Sequence, residues 1–484
     1  MHLTMTPSAP RQSAADLALA PHWRIAAALL LGIGLCALSS CASVPNVEPV
    51  MDQSANADAK PQLSGARGPL TVKQSKAILD KLRTQAPDSD ILQRHLVIEE
   101  AIAESPLMVG NRTRILHDGT ATFSAMFAAI HGARDHINLE YYIVEDVESG
   151  GEQLGDLLLA KRAAGVQVNV IYDSYGSNAT PDAFFIRLRN GGINVVDFNP
   201  VNPLEANAGS SPDNRDHRKI LVVDGATAIV GGVNLSATYE AHPLAKSGAI
   251  EGKPGEFWRD TDLQIDGPAV AQLQRLFLEH WSAQKGPSLD QANFFPAIPP
   301  KGNEVVRTLG SAPKDAVPRY YVTMLSAIRT SEKSISLSTA YFVPTEKEVT
   351  DLIDAARRGV EVRLLLPGES DSELALTVGR SNYRELLEAG VKIYETKNEV
   401  LHSKAAVIDG VWTIIGSSNF DHRSVIFNDE VDTVVLGRET GQQMDAMFET
   451  DFKKATAIDL ATWKDRPLST KIKEVFFGAW QSQL

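Results

Sequence analysis

The chain has almost no cysteine. Of its 484 residues only Cys36 and Cys41 are cysteine, both within the first tenth, so no disulfide framework can hold the body together. A long apolar run is missing as well: Ile25 to Leu38 reaches about 14 residues, short of the ~20 that a spanning helix needs. There is no excess of positive charge either. With 47 Lys and Arg against 60 Asp and Glu the net charge is −13, which argues against a surface built to hold nucleic acid. What remains is ordinary globular material, 43% hydrophobic and 22% charged, in a chain long enough for two cores.

The short apolar run follows Arg24 and has the form of an export-signal core. It ends in Leu38-Ser39-Ser40-Cys41-Ala42, which resembles the lipobox of bacterial lipoproteins. That resemblance implies a signal over residues 1–40, lipidation at Cys41 and anchorage to a membrane surface without spanning it. Ala42, where an Asp would retain the protein at the inner membrane, implies a periplasm-facing lipoprotein of the outer membrane. A simple secretory signal is the alternative, and Met5 is an alternative start. Residues 42 to about 70 are small, polar and aperiodic, and residues 41–90 are expected to act as a flexible tether running into the first lobe.

Beyond the tether one order of elements occurs twice. Ile137 to Val144 reads as a strand, Leu154 to Ala164 as a helix, and Gly165 to Val170 as a second strand. Ile335 to Val343, Val349 to Arg358 and Gly359 to Leu364 repeat it. Each set is followed by a helix ending near Gly192 or Gly390 and by another short strand. This alternation predicts an α/β fold of two lobes, 91–295 and 296–484, each a mostly parallel or mixed sheet sandwiched by helices. Phe294 to Gly302, rich in proline, marks the boundary. The loop from Asn199 to Asp216 has no counterpart in the second half and is expected either to border the active site or to be disordered.

The repeat also carries the chemistry. His217-Arg218-Lys219 leads to Asp224-Gly225 and on to Gly231 and Asn234; His402-Ser403-Lys404 leads to Asp409-Gly410, Gly416 and Asn419. The asparagine follows the histidine by 17 positions in both copies. On a strand, residues two apart share a face, so each His and Lys would converge on one anion. Each Asp-Gly pair between β-branched runs is a hairpin signal, and the return strand brings the asparagine back toward the histidine. A lysine beside each histidine repels a cation, so no metal is expected.

These residues resemble the phospholipase D superfamily in both copies, over residues from about 90 to the C-terminus. Ala340-Tyr341-Phe342-Val343-Pro344, Trp258-Arg259-Asp260-Thr261-Asp262, and Asn419-Phe420-Asp421-His422-Arg423-Ser424 with Asn428 and Glu430 are similar to bacterial cardiolipin synthases. Ser236-Ala237-Thr238-Tyr239 departs by lacking an acidic residue after the first asparagine.

The resemblance implies one active site at a pseudo-twofold lobe interface, with His217, Lys219, Asp224, His402, Lys404 and Asp409 as the catalytic motif residues. His217 is expected to attack phosphorus and form a phosphohistidine while His402 serves as acid and base; the reverse assignment stays open. Lys219, Lys404, Asn234 and Asn419 would hold the non-bridging oxygens, and Asp260 and Glu430 would orient the imidazoles. Asp224 and Asp409, at the turns, are expected to brace rather than touch substrate. Tyr142, Tyr341, His280 and His422 read as packing or loop residues, and Ile472, Val475, Phe476 and Trp480 form an apolar helical stripe.

The implied reaction is phosphatidyl transfer from phosphatidylglycerol or phosphatidylethanolamine, without cofactor and with a monomer sufficient for the site. Hydrolysis to phosphatidic acid uses the same residues, and the sequence does not separate the two. A nuclease and an inactive lipid-binding lipoprotein are further alternatives.

Overall fold

A computed structural model describes residues 44–56, 61–85, 89–201, 211–240, 257–289 and 292–469, together with Lys473 and Phe477. The signal, Cys41, and the stripe of Ile472, Val475, Phe476 and Trp480 lie outside the described residues.

Among the described residues the main sheet of the first lobe is formed by seven strands: β1 (Leu107–His117), β2 (His136–Tyr141), β3 (Gln167–Asp173), β4 (Asn194–Phe198), β5 (Lys219–Val223), β6 (Thr227–Gly231) and β7 (Thr261–Asp266). β2, β3 and β4 are parallel, as their helical crossovers require; β5, β6, β7 and β1 then add antiparallel beside β2. The second lobe repeats this strand for strand. Its members are β8 (Glu304–Ser311), β9 (Ser334–Ser338), β10 (Glu361–Leu366), β11 (Lys392–Glu395), β12 (Ala405–Ile408), β13 (Trp412–Gly416) and β14 (Asn428–Leu436). The parallel set β9–β10–β11 again continues antiparallel through β12, β13, β14 and β8. β1 pairs antiparallel with β8, so the two mixed sheets meet edge to edge.

The motif strands are buried on both faces, which is why Lys219–Val223 is apolar without alternation after its lysine. Leu221, Val223 and Ile229 pack into a core private to the first lobe. Their neighbours Ile220, Val222 and Val230 join Val407, Ile415 and Val431 of the second lobe in a shared core. Helices α1 (Val270–Ala283) and α2 (Arg438–Lys454), which follow the last antiparallel strand of their lobes, add Leu273 and Phe448 to it.

The expected hairpins form. Asp224 and Gly225 have φ of 51° and 59°, Asp409 and Gly410 of 54° and 66°, the left-handed turn that Asp-Gly tolerates. Asp224 then accepts the backbone N–H groups of Arg134, Asp135 and His136 at 2.8, 2.9 and 2.9 Å. Asp409 does the same for Glu332, Lys333 and Ser334. Each carboxylate thus ties its hairpin to the start of β2 or β9. Both stand seven residues from the motif histidine, roughly 23 Å of extended chain, and neither reaches the site.

The segment expected to be a flexible tether is docked where it is described. Glu48–Ala55 is a helix whose Met51, with Val47 before it, packs on Tyr321, Val322 and Leu325. Glu48 also pairs with Arg329 at 2.6 Å. Its apolar stripe is only a turn long, too short to stand out among small polar neighbours.

Replacing Asp224 or Asp409 by Ala is expected to lower unfolding free energy by about 3 kcal/mol, read from the urea midpoint, because three backbone donors lose their anion. Asn, which keeps an acceptor and tolerates positive φ, should cost less than half of that. An unchanged midpoint for both alanine variants would refute the bracing role.

Candidate active site

Neither histidine lies within the strand that the motif predicts. His217 and His402 precede β5 and β12 in short extended segments, and each segment is held by the opposite lobe. Arg215–Asp216 pairs in parallel with the start of β14, and the His217 N–H donates to the Asp429 carbonyl at 2.9 Å. Glu399–Leu401 pairs in parallel with Phe257–Arg259, and the His402 N–H donates to the Arg259 carbonyl at 2.8 Å.

The carboxylates are crossed in the same way. Glu430, at the end of the segment that holds His217, lies 3.0 Å from its Nδ1 through both carboxylate oxygens. Asp260, next to the segment that holds His402, lies 2.7 Å from its Nδ1. With Nδ1 engaged, each imidazole is left with Nε2 for chemistry. Both rings line one cavity of about 650 Å³, together with Asn234 and Asn419. One chain supplies both halves.

The glycines after each motif make room for Asp260 and for two further buried acids, Asp262 and Asp432. A Cβ on Gly231 would meet the Asp262 carboxylate at 2.1 Å, one on Gly232 the Asp260 carboxylate at 2.1 Å, and one on Gly416 the Asp432 carboxylate at 2.1 Å. Ser417 stands where Gly232 stands in the first lobe, and its hydroxyl donates to Glu430. Asn428 donates to Glu430 at 3.0 Å, so that carboxylate is fixed from three sides.

Lys219 and Lys404 are buried beneath the histidines, each donating to the carbonyl of the histidine two residues before it. Burial pushes their ammonium groups down, to about 8 for Lys219 and about 7 for Lys404. Burial likewise drives both imidazoles down to about 4, helped at His402 by the Lys404 charge and opposed at His217 by Glu430. Burial alone would raise Asp260 and Glu430, but the imidazoles and lysines facing them hold both below the ordinary carboxylate range. At neutral pH the resting site therefore has two ionised carboxylates, two imidazoles with free Nε2 lone pairs, and ammonium groups close to losing their protons. An arriving phosphodiester anion reverses that last tendency and favours a proton on one imidazole.

Several contributors escaped the sequence reading. Tyr142 and Tyr341, read as packing, line the cavity, and the Tyr142 ring lies 5.4 Å from that of His217. The Tyr239 hydroxyl reaches His402 Nδ1 at 2.9 Å, a partner His217 does not have among the described residues. Trp258 packs on His402 at 5.1 Å. Of the long loop, Pro212, Asp213 and Arg215 border the cavity. His280, read as packing, belongs to a buried ionic group behind His217 with Glu140 at 2.7 Å, Asp216 at 3.8 Å and Arg218. Burial opposes its charge, yet those two carboxylates hold its imidazole up at about 9. The Arg218 guanidinium lies 3.4 Å from Glu140, so that carboxylate faces two cationic groups. Only the wide spacing of aromatic and charged residues after each motif could have hinted at these partners, and spacing alone does not say which side chains meet.

Comparison with known proteins bears on the same segments. Residues 126–242 and 324–452 match the family described as cardiolipin synthase, PLD-like domain. The chain is 36% identical over 379 residues to a cardiolipin synthase of Geobacillus kaustophilus strain HTA426, covering 77% of this chain and 72% of that one. It is 33% identical over 371 residues to cardiolipin synthase A of Pseudomonas putida, with 75% and 73% covered. Among solved structures, phosphatidylserine synthase of Haemophilus influenzae Rd KW20 superposes with a TM-score of 0.56 at 13% identity, over 83% of this chain and 97% of that one; this likeness concerns the fold.

Binding of inorganic phosphate at pH 7.5 should take up roughly one proton, seen as a buffer-dependent calorimetric enthalpy, because the anion raises Lys404 and the imidazoles. Activity should also fall as pH rises from 7 to 9. Phosphate binding without proton uptake would contradict this charge arrangement.

Proposed function

The chain belongs to the cardiolipin synthase family with phospholipase D-like domains, and from that premise we propose that it is a phosphatidyltransferase acting on phospholipid phosphodiesters, with a cardiolipin-type product. The observation that carries the reading is the crossed pair of carboxylate-held imidazoles over two buried lysines on one cavity. One histidine can attack phosphorus only if another protonates the departing alkoxide, and this site has both.

In the proposed cycle the donor phosphate sits among Lys219, Lys404, Asn234 and Asn419. Asn419 Oδ1 is buried without a partner among the described residues, which leaves its carboxamide free to turn toward a ligand. His217 Nε2 attacks phosphorus, the bond to the leaving oxygen breaks, and His402 delivers the proton to that oxygen. His402 then takes the proton from the acceptor hydroxyl, whose oxygen displaces His217. Glu430 and Asp260 stabilise the imidazolium at each stage, and the lysines stabilise charge growing on the phosphoryl oxygens. The nucleophile assignment follows the family resemblance; the extra Tyr239 contact at His402 agrees with a proton-carrying role there.

The donor is proposed to be phosphatidylglycerol, with phosphatidylethanolamine as a second candidate. Purified protein with labelled phosphatidylglycerol, alone and with phosphatidylethanolamine, should give a diphosphatidyl product. Phosphatidic acid as the sole product would assign water as acceptor, and cleavage of DNA with both lipids untouched would overturn the lipid reading. His217→Ala should lose at least ~10³-fold of the activity. Wild type quenched during turnover should carry labelled phosphatidyl groups on His217, whereas label on His402 would reverse the roles.

The Cys41 lipid anchor is proposed to place the site at the periplasmic face of the outer membrane. No helix of the described residues is long and apolar enough to cross a membrane. Cys41→Ser should abolish labelling by palmitate and move the protein out of the membrane fraction; labelling that persists would refute the anchor.

A further inference from the structure

The cavity holds more positive charge than one phosphodiester needs. Besides the lysines buried behind the histidines, two arginines line the cavity itself: Arg215, two residues before His217, and Arg423, four residues after Asn419. They differ in how they are held. Arg215 is buried, lies 3.4 Å from Asp173, donates to the Pro212 carbonyl at 2.8 Å and rests 5.8 Å over the Tyr175 ring. Arg423 donates to the Asp213 carbonyl at 3.2 Å and stacks 5.6 Å over Phe427, but has no carboxylate partner among the described residues.

Of the acids near these arginines, Asp213 is exposed and makes no ion pair with either of them among the described residues. Asp421 caps the helix His422–Ile426 through Ser424, and burial pushes its carboxyl up to about 7. Asp371 is engaged by the Tyr341 hydroxyl at 2.9 Å. Asp173 is shared among the N–H groups of Tyr175, Gly176 and Asp216 besides Arg215.

We propose that Arg423, supported by Arg215 and Tyr175, forms a second phosphate subsite that holds the phosphodiester of a phospholipid acceptor while its headgroup hydroxyl attacks the phosphatidyl group on the histidine. The spacing fits. Arg215 and His217 are alternate residues of one extended segment, about 6.6 Å apart and on the same side. In a phosphatidylglycerol acceptor the phosphorus and the far hydroxyl are separated by about 6 Å at ordinary bond lengths. A guanidinium with free N–H donors suits a phosphate, and an acceptor held there competes with water for the same intermediate. This subsite would therefore favour a lipid acceptor over a small polyol or hydrolysis. It rests on the transferase reading above.

The test separates acceptor from donor. Wild type and Arg423→Gln are supplied with acyl-labelled phosphatidylglycerol in mixed micelles, with and without excess deuterated glycerol, and all lipid products are quantified by mass. Arg423→Gln should lower formation of the diphosphatidyl product about tenfold or more, raise the share of phosphatidic acid, and leave exchange with uncharged glycerol within about twofold. Arg423→Lys should recover part of the lipid transfer. Equal losses with lipid and glycerol acceptors would place Arg423 at the donor or in folding, and equal yields would remove the subsite; either result overturns the proposal. A wild type that consumes no phosphatidylglycerol would instead sink the transferase reading itself.

Discussion

Each motif imidazole is held by a carboxylate that belongs to the other lobe, and the candidate site depends on that crossing. His217 meets Glu430 and His402 meets Asp260, at 3.0 and 2.7 Å. An imidazole buried without such a partner would keep neither its tautomer nor its aim, and a carboxylate buried without an imidazole would be held up by desolvation. The parallel pairings Arg215–Asp216 with β14 and Glu399–Leu401 with Phe257–Arg259 fix the crossing at the backbone. The lobes are therefore joined at the candidate site.

The duplicated sheets make this possible by supplying a dry wall. Ile220, Val222 and Val230 from one lobe and Val407, Ile415 and Val431 from the other pack in one core beneath the site. In that setting charges interact strongly and are costly to leave alone. The lysines sit near the edge of ionisation, ready to respond to an anion. Gly231, Gly232 and Gly416 let the carboxylates approach the return strands where any side chain would collide. The few small residues in the motif thus serve the acids rather than flexibility.

The two halves are not identical, and the differences fall at the reacting groups. Glu430 comes with Ser417 and Asn428, while Asp260 comes with Gly232 and shares its histidine with Tyr239. Each acid matches its neighbour in size: the longer glutamate is fixed by two side chains, the shorter aspartate approaches over a glycine. The duplicated fold thus gives its two histidines unequal surroundings.

The paired motifs, the Asp-Gly hairpins and the strand–helix–strand repeat were legible from sequence because each depends on local spacing. Two-residue periodicity, a turn that needs positive φ, and recurrence at matching intervals leave marks within a few residues of one another. The docking of Glu48–Ala55 was not legible, because a single turn of apolar residues among polar ones carries too little signal. Asp260 and Glu430 could be named as orienting candidates, but which histidine each serves was decided by pairings between segments 142 and 213 residues apart in the chain. Tyr239, Trp258, Arg215 and Arg423 entered the site for the same reason. Sequence by itself determined which groups are candidates for the chemistry; tertiary structure decided their partners and the wall they share, since burial and contact arise only when distant segments close over one another.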